Sequence, residues 1–208
     1  MQHEDACCIV VTKPAGVLCV PGRGPGKQDC LSSRVQRLYP DARIVHRLDM
    51  ATSGLVVMAR GDAMQRALSQ AFERREVRKR YLAVVAGHLA EPATPGGWGE
   101  IDLPLTADWP RRPMQRVDPA AGRPSLTRWR VLGRGEGWTR LELEPVTGRT
   151  HQLRVHLQAI GHPILGDSLY ASPAVQACAG RMLLHAWRLG FSHPVHGQAI
   201  TVESSPPF

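Results

Sequence analysis

The sequence predicts an α+β fold in which a mixed, mostly antiparallel sheet is flanked by helices and loops. Strand-like segments follow one another with few helices between them, whereas a parallel α/β sheet needs regular alternation. Residues 126–132 and 138–144 alternate apolar and polar side chains around the turn segment 133–137, which predicts a β-hairpin. The chain has 208 residues, 43% of them hydrophobic, so we expect a single domain with a full core over residues 1–208.

The N-terminal part of the chain predicts a strand, a loop and a helix. Residues 7–13 (CCIVVTK) are apolar and β-branched, a pattern typical of a strand. Glycine and proline dominate residues 20–28, which predicts a loop. We expect a helix over residues 29–38, capped by Asp29 and ended by Pro40.

The next part predicts a strand at 55–59, a helix at 62–74 and a strand at 80–86, followed by a Pro/Gly-rich loop at 91–99. The helix is predicted because its apolar residues fall at helical spacing, at Met64, Ala67, Leu68, Ala71 and Phe72.

The C-terminal half predicts mainly short strands and one helix. Short β patterns and turns fill residues 101–146. The helix is expected over residues 150–160, with a cap near Thr147 and Gly161 as its stop. Two strands close the chain, at residues 182–191 and 198–203.

Composition limits the location and the kind of site that we expect. No apolar stretch approaches the roughly 18 residues that span a bilayer, and the polar, acidic residues Met1–Asp5 do not resemble a signal peptide, so we expect a cytoplasmic protein without a membrane partner. The cysteines form no CxxC pair, which favours reduced thiols over a disulfide or metal site. They are Cys7, Cys8, Cys19, Cys30 and Cys178.

The charge favours a polyanionic partner. The formal net charge is +8, and lysine occurs only at positions 13, 27 and 79, so arginine carries most of the positive charge. Arginine binds phosphate with two hydrogen bonds and stacks on unpaired bases, which suits RNA. The alternative is that the surface is simply basic, because many basic proteins bind no nucleic acid.

Two segments concentrate polar side chains beside turns. In residues 46–54 (HRLDMATSG), Asp49 precedes a buried strand; it could simply close an Asx turn with the amide of Ala51 or Thr52, or serve as a nucleophile or base. In residues 147–156 (TGRTHQLRVH), Arg154 could point inward to a carboxylate or lie in solvent. The histidines of this region match no common zinc motif, so we expect no metal.

Four motifs resemble the RluA family of pseudouridine synthases in order and spacing. They are VTKPAG, HRLDMATSG, KRYLAVVAGH and GRTHQLRVHLQAIGHPILGDSLY. The segments DLPLTADWPRRPMQRV and GDSLYASPAV further resemble the branch that acts on ribosomal and transfer RNA. The resemblance covers nearly the whole chain and implies the pseudouridine synthase fold, without an N-terminal S4 domain.

The resemblance implies roles for individual residues. Asp49 is the catalytic aspartate, Tyr81 the active-site aromatic and Arg154 the basic partner of Asp49. For Tyr81 the alternative is an ordinary core aromatic. Arg47 matches the residue that enters the RNA stack where the target base leaves it. Together with the basic clusters, these motifs give the expected RNA-binding residues as His46, Arg47, Arg75, Lys79, Arg111 and Arg112.

The expected function is isomerisation of one uridine in a stem-loop of large-subunit ribosomal RNA, transfer RNA or both. The reaction needs no redox or phosphate energy, so we expect no cofactor, and we expect a monomer. Two alternatives remain: an RNA chaperone that has lost the chemistry, and a hydrolase that releases free uracil.

Overall fold

The computed structural model describes all 208 residues and contains twelve strands and four α-helices. In chain order these elements are β1 His3–Glu4, β2 Cys8–Lys13, α1 Leu31–Gln36, β3 Ala42–Ile44, β4 Ser53–Arg60, α2 Gly61–Glu73, β5 Arg78–Ala86, β6 Gly99–Asp102, β7 Leu105–Ala107, β8 Gln115–Val117, β9 Leu126–Gly135, β10 Trp138–Pro145, α3 Gln152–Ala159, α4 Pro173–Ala177, β11 Leu184–Ser192 and β12 Ala199–Glu203. Short 3-10 helices lie at Pro25–Lys27 and Trp109–Arg111. None of the helices has the length and apolar character that a membrane span requires.

The chain divides into two compact units. The first comprises Met1–Lys79 and His185–Pro207, and the second comprises Arg80–Leu184 and Phe208. The expectation of one catalytic domain over the whole chain stays a prediction.

The first unit is built on strands that are buried on both faces. β2 pairs antiparallel with β1 and β4, β3 pairs antiparallel with β4, and β12 pairs antiparallel with β11. β4 pairs with β11 in parallel, through Ser53 and His185. One face of β2 and β4 packs against α2, whose Leu68 is 1% exposed. Because both faces are covered, the strands are continuously apolar rather than alternating.

The second unit is an antiparallel sheet with one main helix. β10 lies between β5 and β9, and β6 pairs with the outer side of β9. β9 and β10 form the predicted hairpin, and their register shifts between Arg140 and Leu141. β7 and β8 form a separate antiparallel pair. The predicted α+β class with mostly antiparallel strands is therefore confirmed.

Two predicted helix caps are wrong. α1 begins at Leu31 behind Cys30 rather than at Asp29, because the Asp29 carboxylate binds Arg34 at 2.6 and 2.7 Å while Ser33 accepts the Cys30 N–H. α3 begins at Gln152, later than predicted, because His151 has a left-handed backbone with φ 54°.

Candidate active site

The turn that carries Asp49 is fixed by backbone bonds and by a buried lysine. The amide of Thr52 donates to the Asp49 carbonyl at 3.1 Å, so backbone atoms close the turn. Lys13 is 0% exposed, and its ammonium donates to the carbonyls of Pro14, Val17 and Met50 at 2.9, 2.7 and 3.0 Å. The VTKPAG segment is thereby tied to the turn directly after Asp49.

Replacing Lys13 with methionine should destabilise this turn. Methionine has a similar shape but no donor, so the carbonyls of Pro14, Val17 and Met50 would lose their shared donor. A hydrogen bond to a charged group contributes about 1.5–3 kcal/mol. We expect a lower free energy of unfolding in urea. The exposed Lys27→Met variant is the control. Equal stability of the two variants would contradict a structural role for Lys13.

The end of the Asp49 motif is held inside the first unit. The Ser53 hydroxyl and Nδ1 of His185 are 2.8 Å apart, and Nε2 of His185 lies 3.1 Å from the Ser204 carbonyl. A carbonyl can only accept, so Nε2 of His185 donates to Ser204, and in the neutral ring Nδ1 is left to accept from the Ser53 hydroxyl. At Gly54, φ is 119° and a Cβ atom would lie 2.3 Å from the Ala186 carbonyl oxygen. Any larger residue would push the motif away from β11.

Burial alternates along the motif before the strand. Leu48 is 7% exposed and its amide donates to the Cys19 sulfur at 3.2 Å. Asp49 is half-buried, whereas Arg47 and Met50 are exposed. The carboxylate therefore lies at the boundary between a rigid interior turn and an accessible surface.

His46 supports the motif from the inside. Its Nε2 accepts the amide of Val57 at 3.1 Å, and its ring stacks on Phe72 with centroids 4.4 Å apart. Burial and then the charge of Lys79 lower the pKa of His46 from its ordinary 6.5 to about 3. Protonation would place an N–H against the Val57 amide, so the ring is neutral in the folded protein. Its expected RNA contact stays a prediction.

The neutral His46 predicts that the protein loses stability in acid. Between pH 6.5 and about 3 the unfolded chain binds a proton that the folded chain does not, so the free energy of unfolding falls as the pH falls. The loss is at most about 1.4 kcal/mol per pH unit. In His46→Gln, where the amide oxygen can still accept from Val57, urea unfolding should show a shallower pH dependence. The exposed His196→Gln variant should match the wild type; an unchanged slope in His46→Gln would contradict the explanation.

In the second unit, Tyr81 lies on β5. It is half-buried and pairs in register with Leu143, which in turn pairs with Trp129. Two backbone hydrogen bonds join β5 to the loop before Asp167. The Leu165 amide donates to the Val84 carbonyl and the Ala86 amide donates to the Pro163 carbonyl, both at 2.9 Å. The structure thus joins the strand of Tyr81 to the loop that holds Arg154 in place.

Arg154 is buried and paired. It is 3% exposed, so the interpretation as a solvated surface residue is wrong. Its Nε and Nη2 donate to the two oxygens of Asp167, both at 2.7 Å, and Asp167 is 0% exposed. Burial alone would raise the pKa of Asp167, but the hydrogen bonds and charge of Arg154, with amide donors, hold it below its usual value. The expected pairing of Arg154 with Asp49 stays a prediction.

A tyrosine connects this ion pair with the start of α3. The Arg154 guanidinium lies 5.0 Å from the centre of the Tyr170 ring. The Tyr170 hydroxyl accepts the Gln115 amide at 2.8 Å and lies 2.7 Å from Nδ1 of His151. Such a hydroxyl has one proton to give, so it can donate to His151. The left-handed His151 is therefore held by a specific bond, as strained residues in functional regions usually are.

The remaining polar residues of the segment 147–156 have structural partners. Gln152 is buried and accepts from the Thr147 hydroxyl at 2.7 Å, so Thr147 contacts the helix through a side chain instead of capping it. His156 lies between the Thr127 hydroxyl and the Leu103 carbonyl, both at 2.9 Å, and burial lowers its pKa.

The other expected RNA-binding residues lie in two places. Arg75 is exposed with φ 62°, and Lys79 is half-buried, with its pKa lowered by burial and then by the charge of Arg75. Arg111 and Arg112 are exposed in the segment between β7 and β8. Their RNA contacts stay predictions.

Three residues of the site were not among those predicted: Lys13, Asp167 and Tyr170. A lone lysine at the end of an apolar strand and the polar segment GDSLY were the available signals. Neither signal reveals that the lysine is fully buried, or that Asp167 is the carboxylate that Arg154 binds.

Comparisons with known proteins agree with the sequence motifs. A family model described as RNA pseudouridylate synthase matches residues 8–159. The dual-specificity RNA pseudouridine synthase RluA of Yersinia pestis is 49% identical over 196 residues, covering 94% of this chain and 93% of that protein. The protein of the same name from Escherichia coli K12 is 47% identical over 207 residues, covering 99% and 92%.

A solved structure agrees with the fold. Human RNA Pseudouridylate Synthase Domain Containing 1 matches with a TM-score of 0.81 at 29% identity, covering 100% of this chain and 83% of the human chain. The predicted fold is confirmed by this likeness.

Proposed function

The chain belongs to the RNA pseudouridylate synthase family, and from this premise we propose that Asp49 is the catalytic carboxylate, acting with Tyr81 and Arg154. The enzyme isomerises uridine in RNA to pseudouridine. The observation that supports Asp49 most directly is the construction of its turn. A half-buried carboxylate stands on backbone that Thr52 and the buried Lys13 hold in place.

The reaction breaks the N1–C1′ glycosidic bond, turns the uracil and joins its C5 to C1′. Asp49 could attack C1′, attack C6 of the uracil, or remove the 2′ proton to give a glycal. Each route needs an ionised carboxylate, since a protonated one is neither a nucleophile nor a base. The carboxylate must also be held at a fixed position, because an anion that must first reorient loses the advantage of preorganisation. The third route is the one that the family resemblance favours.

We propose that Arg154 is the basic partner of Asp49, because a neighbouring cation stabilises a carboxylate that must react as an anion. The bidentate bond to Asp167 supports this role, since it fixes the plane of the guanidinium. For Tyr81 two roles are consistent with its half-buried position on β5: stacking on the uracil, or taking part in removal of the C5 proton.

The proposed substrate is a stem-loop of large-subunit ribosomal RNA, transfer RNA or both, as the motif resemblance implies. The names of the relatives from Yersinia pestis and Escherichia coli describe dual-specificity RNA pseudouridine synthases, which supports more than one RNA substrate. A stacked base is out of reach, so the target uridine must be flipped out at a cost of a few kcal/mol. The exposed Arg47 is proposed to fill the vacated position. A cytoplasmic monomer that uses no cofactor completes the proposal.

Pseudouridine mapping tests this function. Total RNA from cells with and without the gene would be treated with carbodiimide and read by primer extension. At least one stop in ribosomal or transfer RNA should disappear with the gene and return with the wild-type copy, but not with Asp49→Asn. Identical maps in all strains would contradict the proposal.

A further inference from the structure

The segment between β7 and β8 presents an aromatic ring to solvent. Trp109 is 66% exposed, an unusual position for so large an apolar side chain. The guanidinium carbon of Arg112 lies 3.4 Å from the centre of the Trp109 ring, so the two groups stack. An indole and a guanidinium stacked in this way are flat groups on which a nucleobase can stack in turn.

The backbone of this segment is held by its own bonds. Asp108 is 4% exposed; its amide donates to the Met114 carbonyl and its carbonyl accepts from the Arg111 amide, both at 3.0 Å. Its carboxylate also binds the Arg111 guanidinium at 2.6 Å. Trp109 is therefore presented on a closed loop, so a ligand need not order the loop when it binds.

The surroundings favour a nucleic acid as the ligand. The side chains of Arg111 and Arg116 are 69% and 56% exposed, and Arg123 is also exposed. Exposed arginines beside an aromatic ring can contact phosphates while a base stacks.

The same loop is joined to the site around Arg154. Gln115, the first residue of β8, donates its amide to the Tyr170 hydroxyl, and the Tyr170 ring lies against Arg154. A base held at Trp109 would thus be positioned with respect to Arg154 through a short chain of contacts.

We propose that Trp109 and Arg112 form a stacking subsite for an unpaired nucleobase of the substrate RNA, separate from the uridine that reacts. The inference rests on the proposed function, because it assumes that the RNA has an unpaired loop. The subsite selects stem-loops over continuous duplexes, since a base inside a duplex is already stacked on both faces by its neighbours.

Binding to two labelled RNAs tests the subsite. One probe is a stem-loop with an unpaired loop, and the other is a blunt duplex with the same stem. We expect Trp109→Ala to bind the stem-loop about tenfold more weakly, the loss of one stacked base, and the duplex as well as the wild type does. Trp109→Phe should recover most of the affinity. Leu38→Ala, which truncates another exposed side chain (75%), is the control.

Salt dependence separates stacking from phosphate contact. Trp109→Ala should leave the slope of log affinity against log salt unchanged, whereas Arg116→Ala should reduce it by about 0.7–0.9 for a lost phosphate contact. A 2-aminopurine at one loop position should be quenched on binding the wild type but not Trp109→Ala.

Two results would overturn the subsite: wild-type affinity of Trp109→Ala for the stem-loop, or an equal loss for stem-loop and duplex. Either result would leave the proposed function intact as long as the wild type forms pseudouridine. A wild type that forms none on any RNA would instead refute the proposed function, whatever the binding data.

Discussion

Replacing Asp49 with asparagine is expected to abolish pseudouridine formation while the protein stays folded. Asparagine has nearly the same shape and favours the same turns, and the bond that closes this turn is made by the Asp49 carbonyl, which the substitution keeps. Only the charge and the nucleophilic or basic character are lost. Single-turnover conversion of uridine in a stem-loop transcript should fall below detection.

Two controls make the Asp49 result interpretable. RNA affinity should change little, because phosphate contacts elsewhere supply most of the binding. Thermal unfolding should be recorded alongside, because loss of an anion can leave a cation uncompensated. Substantial turnover by a folded Asp49→Asn protein would mean that Asp49 has only a structural part in the turn.

Replacing Arg154 with lysine is expected to have the second largest effect on turnover, after Asp49→Asn. Lysine can restore one charged hydrogen bond to Asp167 but not the planar pair that Arg154 makes with both oxygens. One charged hydrogen bond contributes about 1.5–3 kcal/mol. We expect the free energy of unfolding to fall by about that amount and turnover to fall about tenfold to a hundredfold.

Asp167→Asn is the matched comparison, because it changes the partner and keeps Arg154. Removing one partner of a buried ion pair costs about 3–5 kcal/mol, so we expect Asp167→Asn to lower the free energy of unfolding more than Arg154→Lys does. The free energy of unfolding in urea and single-turnover rates would be measured for both variants. Wild-type turnover in Arg154→Lys, or a stability of Asp167→Asn equal to wild type, would contradict the role of this pair.

The regular elements could be predicted because their patterns repeat over many residues. The apolar spacing of α2 predicted a helix over 62–74, and the structure has it at Gly61–Glu73. The alternation around residues 133–137 predicted the hairpin of β9 and β10.

Helix starts were less predictable because several residues compete for the same role. Asp29 is a favoured capping residue, yet the nearby Arg34 binds its carboxylate. At the start of α3, Thr147 donates to Gln152, and the strained His151 delays the helix to Gln152. Such choices depend on contacts that no local pattern records.

The sequence predicted which side chains belong to the site, but it did not predict the ion pair of Arg154 with Asp167. The motifs singled out Arg154, yet the carboxylate of its bidentate bond lies 13 positions along the chain and is placed by the loop that pairs with β5. Lys13 was recognisable only as part of a turn, because its full burial follows from how three carbonyls surround it.

The most direct test of the central claim is the fate of the uracil in a single reaction. Purified protein would be incubated with a substrate stem-loop in which the uridines carry tritium at C5, and released tritium, pseudouridine and free uracil would be measured together. We predict that tritium release equals pseudouridine formed, with no free uracil, and that Asp49→Asn gives neither. Release of free uracil would identify a hydrolase instead, and RNA binding without any product would identify an RNA chaperone, so either result would contradict the assignment of this chain as a uridine isomerase.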